Sequence, residues 1–293
     1  MYAMTEKLLD TRVCVIGLGL MGGSLALALR GKCASIAGYD VDPRVVETAV
    51  TRGVIERGTT DLTNVPDEID LVILAAPVGA ILDLIPKLPA WIPYPFHLLD
   101  LGSTKSTIVD EMSRLPEWVS PLGGHPMCGK ETPGLAAADG DLFRDSVFVL
   151  TPLERTLPAT MTLARQLVAA VGARPLILDP ARHDRLAAAI SHVPYLAAVA
   201  LVDAVMRVDD DLAWTMAASG FRDSTRLAAS SVTMMLDILL TNRASVLDAL
   251  SRVQLSLQAF ATLIEQGDEA RLRSTLEACR SRRIGMFHSE GSQ

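Results

Sequence analysis

The sequence has few cysteines and no extended cationic segment, and both absences restrict its function. Its four cysteines are scattered and show no CxxC spacing, which predicts a reducing, cytoplasmic location and no metal site. The formal net charge is -7, and the one basic cluster, residues 280–283, is short. Because a nucleic-acid backbone is bound by clustered cations, we expect no nucleic-acid partner.

Neither the N-terminus nor the longest apolar run predicts a membrane or export signal. The opening segment, MYAMTEKLLD, contains no apolar core, so no signal peptide is predicted. Residues 186–206 are almost wholly apolar over about the 20 residues that span a membrane. This run contains His192, Pro194 and Asp203 and is rich in alanine. We therefore expect a buried helix of a helical domain and no membrane partner.

The first part of the chain alternates between strand and helix patterns. Its 293 residues, 49% hydrophobic and 21% charged, suit a soluble enzyme of two domains. Short apolar runs that end at Gly, Pro or Asp predict strands at 12–16, 35–40, 71–77, 97–103, 146–152 and 173–179. Helical patterns lie at 22–30, 43–52, 80–88, 106–114 and 158–171. This alternation predicts an α/β domain, residues 1–179, with a doubly wound, mostly parallel sheet.

The pattern changes after residue 179, and no convincing strand follows. Helices are predicted at 180–208, 224–240, 245–266 and 269–282. Residues 180–293 are therefore expected to form an all-α domain. The helices at 224–240 and 245–266 carry more apolar surface than one small domain readily hides, so we expect a homodimer through this half.

A glycine pattern follows the first predicted strand and opens the first helix. Gly17 permits a tight turn, Gly19 lets the backbone approach a pyrophosphate, and Gly22 allows close helix packing. The helix N-terminus offers unpaired N–H groups to phosphates. With strand before and helix after, the pattern predicts a dinucleotide site that includes the intervening residues Leu18, Leu20 and Met21.

Three further strand ends are expected to border the cofactor. Asp40 closes the second strand, where a carboxylate accepts hydrogen bonds from ribose hydroxyls and favours NAD over NADP. Arg44 lies close enough to weaken that preference, and Asp40 could instead cap the helix at residue 43. Ala76 and Pro77 end the third strand. Ser103 follows the fourth, where nicotinamide and substrate should meet; its alternative role is to cap the helix at residue 106.

The segment GGHPMCGKETPG, residues 123–134, is predicted to be a loop too irregular for helix or strand. It carries His125, whose imidazole suits general-base catalysis. Among the other histidines, His97 is expected to be structural and His183 to lie at the surface or between domains. His192 stays a second candidate for the site, with a satisfied core histidine as the alternative.

Polar side chains on the later helices are candidates for binding substrate. Pro194 should kink its helix, and His192 and Tyr195 share one face of it. In GFRDSTR, Arg222 and Arg226 lie one helical turn apart, and a guanidinium binds a carboxylate in bidentate fashion. The sequence itself does not choose between these arginines.

Five segments occur in one order: GLGLMGGS, LGSTKS, GGHPMCGKETPG, HDRLAAAISHVPY and GFRDSTR. Together they resemble the prephenate/arogenate dehydrogenase family of tyrosine biosynthesis, over roughly residues 12–285. The resemblance implies a Rossmann domain followed by a helical dimerisation domain. It also implies oxidative decarboxylation of a cyclohexadienol, with NAD(P) accepting hydride. We expect the conversion of prephenate to 4-hydroxyphenylpyruvate with NAD+, and NADP stays a possible cofactor.

The resemblance also implies roles for single residues. His125 matches the catalytic histidine that deprotonates the ring hydroxyl, and Ser103 matches the serine bonded to that hydroxyl. Arg226 matches the arginine that pairs with a substrate carboxylate. His192 matches the first histidine of a helix motif that often carries two.

Departures from the family pattern leave alternatives open. Tyr195 stands where the second histidine of the helix motif would be, and Lys130 and Glu131 stand where the substrate side chain is expected. Arogenate therefore stays an alternative substrate. A β-hydroxyacid dehydrogenase would need a lysine in the interdomain helix, but Lys130 is the last lysine of the chain. A non-catalytic NAD-sensing dimer would leave the His125 segment without a purpose.

Overall fold

The computed structural model describes residues 4–64, 68–130 and 132–288. It forms two compact units, Met1–Val246 and Leu247–Gln293. The predicted boundary at residue 179 falls within the first unit, at the point where strands give way to helices. As a domain boundary it stays a prediction.

A single sheet forms the centre of the first unit. In the described residues its strands are β1 (Arg12–Ile16), β2 (Ser35–Tyr39), β3 (Arg57–Thr59), β4 (Leu71–Leu74), β5 (Phe96–Asp100), β6 (Val119–Pro126), β7 (Val147–Pro152) and β8 (Arg174–Ile177). Their order is β3-β2-β1-β4-β5-β6-β7-β8. All neighbours pair in parallel except β6 and β7. The predicted doubly wound sheet is confirmed, and its strand order reverses between β1 and β4, where ligands bind such sheets.

Helices cover both faces of the sheet and then continue alone. They are α1 (Leu20–Leu29), α2 (Pro43–Thr51), α3 (Val78–Leu84), α4 (Leu88–Trp91), α5 (Ser106–Ser113), α6 (Pro158–Ala170), α7 (Pro180–Ala187), α8 (Val193–Met206), α9 (Leu212–Met216), α10 (Ser219–Thr225), α11 (Val232–Thr241), α12 (Arg243–Gln266) and α13 (Glu269–His288). Two apolar clusters pack against the sheet, one around Val15, Leu25 and Phe148, the other around Ile16, Leu74 and Phe96. Their burial is the main stabilising contribution to the first unit.

The prediction that His125 lies in an irregular loop is wrong. Residues 119–126 form β6, which pairs with β7 so that Gly124 lies opposite Leu150 and His125 opposite Val149. Gly123 and Gly124 are needed because other atoms lie too close for a side chain, and not because the backbone turns there. A Cβ at Gly123 would lie 2.0 Å from Thr151 Oγ1, and one at Gly124 would lie 2.6 Å from the Asp100 carbonyl oxygen. Sequence cannot distinguish this use of glycine from its use in turns.

Strand β3 was not predicted at all. It is the edge strand Arg57–Thr59, and its sequence, RGT, contains no apolar side chain. Periodicity in the sequence therefore gives no signal there.

The helix predicted at 180–208 is interrupted by a π-helical turn, Ala188–His192, which lies between α7 and α8. The Val193 N–H donates to the Ala188 carbonyl oxygen, five residues back. Pro194 has no N–H to donate, and the wider turn accommodates the missing donor where a kink was predicted.

The expectation that the apolar run 186–206 is buried is wrong for α8, in which only Val193 and Ala198 are buried. Among the described residues, Pro180–Met206 is the one helical stretch long and apolar enough to cross a membrane. Its first turns nevertheless bury His183, Asp184 and His192 within the first unit.

The helix predicted at 224–240 is in fact two helices. Residue 225 ends α10, a 3-10 turn covers Arg226–Ala229, and α11 begins at Val232. The Ser231 hydroxyl accepts a hydrogen bond from the Met234 N–H and caps α11. Serine side chains compete for backbone groups within a helix, which favours a break at Ser230 and Ser231.

We expect Gly124→Ala to destabilise the protein, because its Cβ would enter space occupied by the Asp100 carbonyl oxygen. Overpacking of this kind costs about 1–3 kcal/mol. Gly129→Ala is the matched control from the same segment, since nothing lies within 4 Å of the place that its Cβ would take. Thermal unfolding should show a clear fall in Tm for Gly124→Ala alone. Equal Tm values for the two variants would contradict the packing argument.

Candidate active site

The glycine loop after β1 has the geometry that a dinucleotide site requires. Gly17 has a φ of 96°, which favours glycine, and a Cβ there would lie 2.6 Å from the Ala75 carbonyl oxygen. A Cβ at Gly22 would lie 1.9 Å from the Gly17 carbonyl oxygen, so α1 packs tightly on the loop. Gly19, by contrast, faces open space and is the residue before α1. The loop therefore leaves room for phosphates beside the first N–H groups of Leu20 and Met21.

Asp40 lies at the end of β2 with its carboxylate turned towards the glycine loop. One oxygen accepts the Leu18 N–H at 2.9 Å and the other accepts the Asp42 N–H at 3.0 Å. The helix α2 is capped by Asp42, which accepts the Arg44 N–H, so the alternative capping role for Asp40 is wrong. Asp40 is fixed beside the loop, where it fits the ribose hydroxyls of a dinucleotide.

The ends of β4 and β5 provide the other predicted cofactor residues. Ala75 and Ala76 follow β4 and are partly exposed, and Pro77 precedes the first turn of α3. Ser103 follows β5 and is partly exposed. It does not cap α5: the Asp184 carboxylate accepts the N–H groups of Lys105 and Ser106 at 2.7 and 2.8 Å instead.

His125 is bonded to a second histidine that the sequence had not singled out for the site. His125 Nδ1 lies 2.8 Å from His183 Nε2, and His183 Nδ1 lies 2.9 Å from Asp184 Oδ1. His183 is buried, so of its two expected positions, at the surface or between domains, the surface position is wrong. The clue available in the sequence was its neighbour: Asp184 follows it directly on α7, within the segment HDR.

These contacts fix the direction of the hydrogen bonds. Asp184 is ionised and accepts, so His183 Nδ1 carries the proton and His183 Nε2 is an acceptor. His125 must then donate from Nδ1, which leaves its Nε2 with a free lone pair. Burial raises the pKa of Asp184, but hydrogen bonds from His183, Ser106 and Lys105 together outweigh it and hold the pKa below its usual range.

The imidazole of His125 is held neutral. Burial lowers its pKa well below the ordinary value, and the neighbouring His183, Lys105 and His192 lower it further, while Asp184 raises it. A neutral imidazole with one free nitrogen is the state that a general base needs at neutral pH.

His192 is buried at the end of the π-helical turn and meets the residue that follows α11. The Asn242 amide nitrogen donates to the Asp184 carbonyl oxygen at 2.7 Å and lies 3.3 Å from His192 Nδ1. Burial lowers the pKa of His192 to about 4, although the charge of Asp184 raises it, and repulsion from His183 lowers it by a smaller amount. The predicted alternative, a hydrogen-bonded core histidine, thus describes its contacts, and any role towards substrate stays a prediction.

The remaining predicted substrate residues are on the helices that follow. Tyr195 lies in the first turn of α8 and is partly exposed, and α8 packs against the 3-10 turn that Arg226 opens. Arg226 is exposed. Arg222 is also exposed and forms an ion pair with its neighbour Asp223 at 3.6 Å. Lys130 is paired with Asp139 at 2.8 Å. Glu131 lies outside the described residues.

His97 is separate from this cluster. Its Nδ1 lies 2.8 Å from Thr160 Oγ1 and its Nε2 lies 2.9 Å from the Thr5 carbonyl oxygen. Both nitrogens are used in the packing of α6 and the N-terminal segment against β5. The expectation of a structural histidine agrees with these contacts.

Comparison with known proteins identifies the family. Residues 25–177 match the family model described as prephenate dehydrogenase, nucleotide-binding domain, and residues 179–278 match prephenate dehydrogenase, dimerization domain. The chain belongs to the prephenate dehydrogenase family. It is therefore a dehydrogenase with a nucleotide-binding domain followed by a helical dimerisation domain, and its cofactor is a nicotinamide dinucleotide.

Individual relatives agree with this family. The chain is 33% identical over 289 residues to prephenate dehydrogenase of Bacillus subtilis (strain 168), a match that covers 96% of this chain and 77% of the relative. The structure of Aquifex aeolicus prephenate dehydrogenase with hydroxyphenyl propionate and NAD+ has a TM-score of 0.89 and 30% identity, covering 94% of this chain and 98% of that one. Synechocystis arogenate dehydrogenase has a TM-score of 0.81 and 29% identity, covering 94% and 100%.

We expect the histidine tautomers of this family member to follow the hydrogen-bond chain. In nitrogen-resolved NMR spectra at neutral pH, His125 should carry its proton on Nδ1 and leave Nε2 bare. Its titration midpoint should lie below the ordinary histidine value of about 6.5. Asp184→Asn removes the charge that fixes His183 and should disturb the tautomer of His125, whereas Asp203→Asn, an exposed control on α8, should not. A proton found on Nε2 of wild-type His125 would contradict this assignment.

Proposed function

We propose that this enzyme converts prephenate to 4-hydroxyphenylpyruvate and carbon dioxide, with NAD+ as hydride acceptor, as a step of tyrosine biosynthesis in the cytoplasm. The single observation that carries the proposal is the Asp184–His183–His125 hydrogen-bond chain, which leaves His125 Nε2 free at the carboxyl end of β6, in the same sheet that carries the nucleotide loop after β1. The relatives named prephenate dehydrogenase support the choice of substrate.

In this proposal His125 is the general base. Its Nε2 accepts the proton of the ring hydroxyl while the carbon that bears the hydroxyl gives up its hydrogen with both bonding electrons. The bound nicotinamide supplies the acceptor for that hydride. The electrons of the bond to the opposite carboxylate then complete the aromatic ring, and that carboxylate leaves as carbon dioxide. Aromatisation drives the step, so the protein has to orient the substrate, remove one proton and balance charge.

The other residues have binding roles in this proposal. Ser103 bonds the ring hydroxyl beside His125, and Arg226 pairs with a substrate carboxylate, for which a guanidinium is suited. His192 and Tyr195 border the same substrate. Gly17, Gly19, Gly22 and the residues between them hold the pyrophosphate together with the edge formed by Ala76 and Pro77.

We infer a preference for NAD over NADP. The Asp40 carboxylate, held by the Leu18 and Asp42 N–H groups, favours ribose hydroxyls and repels a 2′-phosphate. The Arg44 side chain on the first turn of α2 is the feature that works against this preference.

Arogenate is the second candidate substrate, and one observation favours it. Lys130, the cation that would prefer the extra charge of the prephenate side chain, is paired with Asp139 in this structure. A similar structure, from Synechocystis, is an arogenate dehydrogenase. Glu131, the other residue predicted near the substrate side chain, would instead suit the amino group of arogenate.

The proposal is tested by following nicotinamide reduction at 340 nm with prephenate and with arogenate, each with NAD+ and with NADP+. We expect the highest kcat/KM for prephenate with NAD+. A higher value for arogenate would replace the proposed substrate, and absence of turnover with all four pairs would overturn the function.

His125→Asn should lower kcat at least ~100-fold, the usual scale for a general base. Binding of NAD+ by that variant should be retained.

We also infer that the helical part forms a homodimer. Large apolar side chains on α8 to α11 are exposed in the single chain, and the dimerization-domain model covers them. They include Leu201, Met206, Leu212, Val232 and Leu240. Burying such a surface against a second copy removes apolar area from water and stabilises association.

Light scattering at micromolar concentration should give the mass of a dimer. Leu240→Glu, which places a charge on α11, should shift the protein towards monomer because charge is unfavourable in an apolar interface. Leu9→Glu is the matched control, since Leu9 is 67% exposed and Leu240 is 65% exposed. A wild-type monomer, or equal effects of the two substitutions, would refute the inferred interface.

A further inference from the structure

A fully buried ion pair lies between the Ser103 segment and the His125 strand. Asp100 ends β5 and Lys105 precedes α5, and both side chains are 0% exposed. The Lys105 ammonium donates to Asp100 Oδ2. Transfer of two charges out of water is costly, and a buried pair often contributes nothing net to stability. We therefore consider which backbone segments the Asp100–Lys105 pair holds in place.

The Asp100 carboxylate holds the backbone next to both proposed active-site residues. Its Oδ2 accepts the Gly102 N–H at 2.8 Å, and its Oδ1 accepts the Gly124 N–H at 3.1 Å. Gly102 directly precedes Ser103, and Gly124 directly precedes His125. One carboxylate thus joins two segments that are separate in sequence.

The two glycines let their segments come close to Asp100. A Cβ at Gly102 would lie 2.9 Å from Asp100 Oδ2, and a Cβ at Gly124 would lie 2.6 Å from the Asp100 carbonyl oxygen. Any side chain at either position would push the backbone away from Asp100. The distance between the Ser103 and His125 segments is consequently set at Asp100.

Lys105 closes the arrangement into a ring. Its backbone N–H donates to Asp184 Oδ1 at 2.7 Å, the same oxygen that His183 Nδ1 contacts. From there the contacts run through His183 to His125, along the chain to Gly124, and back to Asp100. Each charged or polar group in this ring has a partner, which is what burial at this depth requires.

We propose that Asp100 and Lys105 are positioning residues of the reaction, which fix His125 and Ser103 relative to each other. This inference rests on the proposed function of His125. Neither side chain touches substrate in this role. They act through the backbone of Gly102 and Gly124 and through the charge of Lys105.

The charges around His125 provide a second measurable effect, a change in the pKa of His125, which a purely structural role of Lys105 would not produce. His183 and His192 on the α7–α8 segment and Lys105 before α5 oppose protonation of His125, and Asp184 on α7 favours it. Without Lys105, one opposing charge is lost and Asp100 is left without its cation. Both changes favour the protonated imidazole, so the pKa of His125 should rise.

The test is Lys105→Met, assayed with prephenate and NAD+ over a range of pH. We expect kcat to fall about 10- to 100-fold, as misplacement of a reacting group does, while the Kd for NAD+ changes little. The acid limb of the kcat/KM profile should move to higher pH. An unchanged kcat together with an unchanged acid limb would overturn the proposal.

The double variant Asp100→Asn, Lys105→Met guards against loss of folding, because it removes both charges and leaves no buried ion alone. Its Tm should exceed that of Lys105→Met, and its acid limb should return towards the wild-type position. Its kcat should stay low, since an amide has one acceptor oxygen where the carboxylate uses two. Full kcat in the double variant would show that the pair does not position the site.

Asp70→Asn is the matched control, since it removes a charge from the Arg12–Asp70 pair at the opposite ends of the strands. It should lower Tm without moving the acid limb; an equal shift in this variant would attribute the effect to general destabilisation.

Failure of this inference can be distinguished from failure of the proposed function. If wild-type enzyme does not turn over prephenate, the proposed function fails. NMR titration of His125 in wild type and Lys105→Met still tests the effect of the Lys105 charge. An equal titration midpoint in both proteins would overturn that effect.

Discussion

The geometry of the candidate active site depends on which groups donate hydrogen bonds to the buried Asp184 carboxylate. It accepts the Lys105 and Ser106 N–H groups at the start of α5 and contacts His183 Nδ1. A buried carboxylate with fewer donors would be costly, so these partners fix α7 against α5 and orient His183. His183 in turn orients His125. The sheet sets the strand ends, but this carboxylate decides which nitrogen of which imidazole faces outward.

Close backbone approach is the second constraint. Gly22 brings α1 against the loop after β1, and Gly124 brings β6 against the end of β5. Both glycines are explained by an atom that occupies the place of their missing Cβ. The loop after β1 and the strand that carries His125 thus have the same feature, which is the absence of a side chain where two backbones meet.

The π-helical turn at Ala188–His192 links the sheet to the helices. It places His192 against Asn242, whose amide also bonds the Asp184 carbonyl oxygen. Pro194 follows closely and cannot supply the donor that a regular α-helix would need there. Such turns are frequent at functional sites because they redirect side chains without ending a helix. Beyond this turn α8 is largely exposed, and only Val193 and Ala198 of it are buried.

Sequence alone determined the doubly wound sheet, the glycine loop and the position of Asp40 after β2, because each rests on local periodicity or on spacing within one segment. It also predicted that His125 is the general base, and that role stays a prediction. It did not find β3, which has no apolar pattern, and it took β6 for a loop because glycine and proline signal turns more often than tight packing. It also missed His183, Asn242 and the Asp100–Lys105 pair. Their roles depend on contacts between residues distant in the chain, such as 125 with 183 and 184 with 242. Tertiary structure decided these contacts, since only the folded chain shows which buried polar groups form hydrogen bonds with one another.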